Sequence, residues 1–175
     1  MSFDGASQAL QKNMTNEISL REVRAGDLPI FFEQQLDPEA TRMAAFPSRA
    51  RDEFMAHWAK AMAEETTILK TIVSHEKVAG NIVYWERSGE GRVGYWLGRD
   101  YWGQGIATAA LAQFLGQVRI RPLYARVAKK NVASIRVLQK CGFTISGEDT
   151  FCDLDGEPDS EFIMILEAQD ADENK

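Results

Sequence analysis

Three β-patterned stretches, residues 67–73, 78–85 and 92–97, follow one another across short turns and run directly into a glycine-bearing turn that opens a helix. Strands joined so tightly pair antiparallel, so the middle of the chain is expected to form a meander that hands over to a β-to-α connection. The connection reads Tyr101-Trp102-Gly103-Gln104-Gly105-Ile106-Ala107-Thr108. Without a Cβ, Gly103 and Gly105 allow positive φ and a close approach of backbone to ligand. A helix starting near Gly105 also points unpaired N–H groups outward, and such an end binds anions without a lysine.

The flanking segments build around this unit. Residues 1–16 are polar without a sustained period and read as a flexible leader; residues 17–166 read as one domain and residues 167–175 as an acidic tail. Ile18, Leu20 and Val23 indicate a first strand, and Asp27 is expected to cap a helix over residues 28–35, with Pro29 in its first turn. Pro38 and Pro47 bound an irregular piece, after which Phe54, Trp58, Ala61 and Met62 recur at helical spacing, predicting a helix over residues 49–64. Glu76-Lys77 and residues 88–91 read as the meander turns. After the glycine turn, Ala107, Leu111, Phe114, Leu115 and Val118 share a helical face ending near Arg119. A strand over 122–127 follows, then a helix opened by Asn131, with Ile135, Leu138 and Cys141 along one side and Gly142 at C′. Residues 143–146 and 160–166 supply the last strands around a turn at 155–158.

At 175 residues the chain is long enough to bury a core without disulfides or metal. No apolar run approaches the roughly 20 residues that cross a bilayer, and the first residues carry neither a basic nor an apolar targeting region, so a cytoplasmic protein is expected. A net charge of −6 opposes nonspecific association with nucleic acid and accommodates a cationic substrate more easily. Cys141 and Cys152 form neither a disulfide framework nor a zinc site and are read as reduced; no metal is expected.

The glycine turn admits three readings. A Walker A loop needs Lys followed by Ser or Thr after its last glycine, and Ile106 and Ala107 stand there instead. A dinucleotide fingerprint needs a parallel βαβ unit and an acid about 20 positions on, where this chain reads Leu-Tyr-Ala-Arg-Val at 123–127. The third reading is a purely structural β-to-α connection. A second block shifts the balance: Asn131-Val132-Ala133-Ser134, followed by Lys140-Cys141-Gly142-Phe143, lies one strand further on. This order of motifs resembles the GNAT superfamily of acyl-CoA-dependent N-acetyltransferases over about residues 17–166. The first block looks like the superfamily's pyrophosphate loop, usually Q/R-x-x-G-x-G/A. Gly105 and Ala107 match, and Trp102 departs from the Gln/Arg position. Gly94-Tyr95-Trp96-Leu97 and the stretch from Tyr101 to Thr108 are similar to the branch of ribosomal-protein N-terminal acetyltransferases.

The resemblance implies an α+β fold: a mixed, mostly antiparallel twisted sheet of six to seven strands flanked by helices, with a splayed strand pair at the acyl-CoA site. It implies acetyl-CoA as acyl-donor cosubstrate. The backbone of Gln104, Gly105, Ile106, Ala107 and Thr108 would hold its pyrophosphate, and Tyr95, Trp96, Leu97 and Asn131 its pantetheine arm. Ser134 would lie near the thioester sulfur and stabilise the leaving thiolate. Taken alone, Asn131 reads first as an N-cap and Ser134 as an ordinary first-turn residue, and the capping role can coexist with the coenzyme role. Two departures stand out: the superfamily's tyrosine acid, seven residues after the asparagine, is Leu138, and a glutamate common in the branch, two residues before Gly94, is Arg92. Glu86 and Asp153 are therefore the candidates for the general base, with His57 and His75 read as packing or surface residues. Trp58 and Phe151 are picked for the acceptor-pocket wall. The acceptor implied is a primary amine, foremost a protein N-terminal α-amine; the alternatives are a small amine or a noncatalytic acyl-CoA sensor. A homodimer is compatible with all of these.

Overall fold

The computed structural model describes residues 17–169. The expected leader therefore lies outside the described residues, as does most of the expected tail. Seven strands form one sheet in the order β1-β2-β3-β4-β5-β7-β6. They are β1 (Ile18–Glu22), β2 (Ile68–Ser74), β3 (Lys77–Arg87), β4 (Glu90–Leu97), β5 (Leu123–Ala128), β6 (Thr144–Cys152) and β7 (Pro158–Leu166). Five helices flank it: α1 (Leu28–Gln35), α2 (Pro38–Ala44), α3 (Arg51–Ala63), α4 (Ile106–Gln117) and α5 (Val132–Lys140). Every neighbouring pair is antiparallel except β4 and β5, which run parallel. This is the mixed, mostly antiparallel α+β architecture expected.

Alternation along the strands divides the apolar residues between two faces. Ile82 and Tyr84 of β3 join the main core with Leu111 and Phe114 of α4 and Met164 of β7, all buried. The intervening Val83 packs against a separate aromatic cluster, Phe31 and Phe32 of α1 with Phe54 and Trp58 of α3. One face thus carries α4 and α5, the other α1 and α3.

Four local expectations are corrected. Asp27 does not cap α1: it ends a 3-10 turn at Ala25–Asp27 and directs its carboxylate to the Arg21 guanidinium (2.7 and 2.8 Å), the Arg24 N–H (2.9 Å) and the Thr71 hydroxyl (2.7 Å). The piece after Pro38 is a helix, because Asp37 accepts from the N–H groups of Glu39 and Ala40 while Pro38 presets the first turn. The meander turns fall at His75-Glu76 and Ser88-Gly89, where φ is positive, so Lys77, Glu90 and Gly91 already belong to strands. Strand β6 runs six residues beyond Ser146, to Cys152, continuing past a register shift between Ile145 and Gly147.

The feature that positions a site is the parting of β4 from β5. Their parallel ladder holds only Gly91 to Leu123 and Arg92 to Tyr124. From residue 93 on, β4 keeps its β3 partner as far as Leu97 but loses β5, which stays paired along its other edge with β7.

Candidate active site

A cleft of about 430 Å³ opens where the two strands part. Its walls are residues 95–97 of β4, the glycine turn with the first turn of α4, α5 from its cap Asn131 to Lys140, and Ala40, Met43 and Ala44 of α2. Gly105 has φ of +75° and serves as the N-cap of α4 with no side chain capping the helix. The N–H groups of Ile106, Ala107 and Thr108 precede the first residue able to bond back within the helix, since Ala109 N–H is the one that reaches the Gly105 carbonyl. With the helix dipole, three donors converge on the cleft at the positive end of a 12-residue helix. A Cβ built at Gly103 or Gly105 meets no protein atom within 4 Å, so this backbone faces open space.

On the opposite wall, Asn131 caps α5, its Oδ1 accepting from the Ser134 N–H at 3.3 Å. The Ser134 hydroxyl lies 2.6 Å from the Tyr95 hydroxyl, across from β4. Burial pushes the Tyr95 phenol up to about 12, against a lowering effect of the Ser134 hydrogen bond, so it stays protonated at neutral pH. Arg136 and Lys140, one helical turn apart on α5, line the same cleft.

Of the residues singled out from sequence, the structure brings Tyr95, Trp96, Leu97, Gly105, Ile106, Ala107, Thr108, Asn131 and Ser134 to one cleft. The others stand elsewhere. Gln104 does not line it; its side-chain amide donates to the Asp100 carbonyl at 2.9 Å. Glu86 faces Gly91, below the parting of the strands, and accepts from the Tyr84 hydroxyl at 3.1 Å. Asp153 accepts from the N–H groups of Asp155 (3.0 Å) and Glu157 (2.9 Å), which fixes the β6–β7 turn. Phe151 sits in that hairpin opposite Asp159. Trp58 is buried against Phe31, with ring centroids 5.0 Å apart.

Arg92 occupies the last rung before the strands part. Its side chain is 15% exposed and bonds Glu90 at 3.1 Å, while its Nε–H is buried with no hydrogen-bond partner among the described residues. Sequence reasoning misses the cleft roles of α2, Arg136 and Lys140. The i, i+4 spacing of the two cations is the signal that points to them.

A parted strand pair beside an uncapped helix N-terminus agrees with family-level comparison. Residues 17–144 match the model of the Acetyltransferase (GNAT) domain. The chain belongs to the GNAT acetyltransferase family. A relative named "Uncharacterized N-acetyltransferase p20", from Bacillus licheniformis, is 26% identical over 147 residues, covering 76% of this chain and 82% of the relative. Family and relative together make this GNAT protein an N-acetyltransferase. Solved structures share its fold at low identity. The spermidine N-acetyltransferase of Vibrio cholerae, crystallised with CoA and spermine, superposes with a TM-score of 0.77 at 15% identity, over 87% of this chain and 96% of that one. The microcin C7 self-immunity acetyltransferase, crystallised with acetyl-CoA and AMP, gives 0.70 at 21% identity, over 87% and 93%.

Proposed function

We propose that this GNAT enzyme moves an acetyl group from acetyl-CoA to a primary amine by direct attack in a ternary complex. The parting of β4 from β5 carries the reading, because it leaves the backbone at residues 95–97 without a partner strand on one side. An extended amide-bearing arm such as pantetheine satisfies those groups as an added strand does. The residues present fit the rest of the molecule. The N–H groups of Ile106, Ala107 and Thr108 meet a pyrophosphate, and Arg136 and Lys140 offer cations to its phosphates. Asn131 and Ser134 line the same cleft. Acetyl-CoA supplies an activated carbonyl and a thiolate leaving group.

The chain's own groups then have defined tasks. The Ser134 hydroxyl donates a hydrogen bond to the departing sulfur. The attacking amine must be neutral, so its proton leaves first. Of the two carboxylates considered, Asp153 is committed to its turn, and Glu86, exposed near the end of β3 with one oxygen accepting from the Tyr84 hydroxyl, is the one we assign to take that proton through water.

For the acceptor we favour a protein N-terminal α-amine. The motifs around Gly94 and Tyr101 support it. The second reading is a polyamine, favoured by the fold neighbour named for spermidine and by the net charge of −6. CoA release measured with peptides of varied N-terminus and with spermidine separates them. Turnover with peptides alone supports the first reading, and turnover with spermidine alone supports the second. Binding of acetyl-CoA without turnover across the panel would make the chain a noncatalytic acyl-CoA sensor.

A further inference from the structure

Tyr95 and Ser134 stand in two separate motifs of the sequence, and the fold brings their hydroxyls together. Tyr95 lies on the α4/α5 face of β4, packed against the main core, and its phenolic oxygen ends 2.6 Å from Ser134 Oγ. Leu138, where the superfamily's tyrosine acid would stand, is 2% exposed and belongs to the core. A phenol therefore does reach the cleft, but from the sheet rather than from the helix. The Ser134 N–H is taken by Asn131 Oδ1, which fixes the first turn of α5 and with it the position of the hydroxyl.

A serine hydroxyl has one proton and two lone pairs, and which way its proton points depends on what its oxygen accepts. In the first turns of a helix a serine hydroxyl readily turns back to a local backbone carbonyl. Here the near neighbour is a phenol held in its protonated form by burial. If the phenol donates, the serine proton is free for the cleft, and donation in one direction strengthens donation in the next.

We propose that Tyr95 is a positioning residue that donates its hydrogen bond to Ser134 Oγ and thereby turns the Ser134 proton toward a thiolate formed in the cleft. This rests on the acetyl-CoA reading above. In the step concerned, the amine lone pair forms the N–C bond, the C–S electron pair passes to sulfur, and the Ser134–Tyr95 chain stabilises the resulting thiolate by hydrogen bonding. The proton lost by the amine reaches the sulfur through solvent, so neither hydroxyl is consumed.

The test needs no acceptor. CoA itself is bound to the chain, and ionisation of its thiol is followed by thiolate ultraviolet absorbance across a pH titration. In the unaltered chain the bound thiol ionises at lower pH than in Tyr95→Phe, by about one pH unit, the size expected for a charge-assisted hydrogen bond. Ser134→Ala shows the same loss, and the double variant loses no more, because the two hydroxyls act in series. CoA affinity changes less than about threefold in Tyr95→Phe, since the ring and its packing remain. Where an acceptor is in hand, kcat falls about tenfold with KM for acetyl-CoA unchanged. Equal thiol ionisation in the unaltered chain and Tyr95→Phe would overturn the role of Tyr95 alone, as would single-variant losses that add in the double variant. Failure of the unaltered chain to bind CoA would overturn the reading beneath it, and the proposal with it.

Discussion

The two faces of the sheet are built by different means. The α4/α5 face makes its cleft largely from backbone: unpaired strand edges on β4, free N–H groups at the start of α4, and a capped first turn on α5. The α1/α3 face is made from side chains, with Phe31, Phe32, Phe54 and Trp58 packed ring against ring. A backbone site requires particular residues at few positions, chiefly glycines and caps, so it leaves a compact trace in sequence. A packed aromatic face tolerates many arrangements and leaves only a spacing.

The largest test of this contrast is Trp58→Ala. Trp58 contacts both Phe31 and Phe54 and is 7% exposed, so its loss is expected to cost about 3–5 kcal/mol in denaturant unfolding. An unchanged stability with a raised acceptor KM would instead make it the pocket wall expected from sequence.

Asp27→Asn ranks next. Burial opposes ionisation of Asp27, but the bonds from Arg21, Arg24 and Thr71 outweigh it and hold the carboxyl at about 2, below its ordinary 3.8. A lowered value means stability that is fully present above the unfolded value and lost as pH falls through the folded one. The contribution is about 2 kcal/mol at neutral pH, fading between about pH 4 and pH 2. Asn is expected to remove that acid-limb slope, as followed by unfolding at successive pH values. A slope as steep as in the unaltered chain would mean that other carboxylates carry it.

On the backbone-built face, Gly105→Val introduces a β-branched residue at positive φ, costing about 1–2 kcal/mol in stability. Because the new Cβ meets no protein atom, its further effect falls on ligand, and acetyl-CoA affinity measured by calorimetry is expected to drop by more than about tenfold. The smallest effect is expected of Asp153→Asn, which keeps an acceptor for the two turn N–H groups. Stability falls by less than about 1 kcal/mol and kcat stays within about twofold. A large fall in kcat alone would restore it as the base.

Much of the α4/α5 face is legible in the sequence. Gly105 opens α4, Asn131 caps α5, and Gly142 follows the end of α5 with φ of +95°. The α2 helix escapes such a reading although Asp37-Pro38-Glu39 is a helix start, because its seven residues are too few to show a period. The outer part of β6, polar and mostly exposed, carries no alternation and owes its strand form to pairing with β7. Asp27 misleads because a carboxylate before an apolar run usually caps it, whereas its partners Arg21 and Thr71 are brought by β1 and β2. The Tyr95–Ser134 contact spans 39 residues, and no local pattern announces it.

The most direct measurement is thermal unfolding with and without acetyl-CoA, with NAD as the control. Selective binding at the parted strands predicts that millimolar acetyl-CoA raises the Tm and NAD does not, the folded state gaining about 2.7 kcal/mol when ligand is a hundredfold above Kd. An unchanged Tm with acetyl-CoA would contradict the assignment of the cleft and leave the glycine turn as a connection between a strand and a helix.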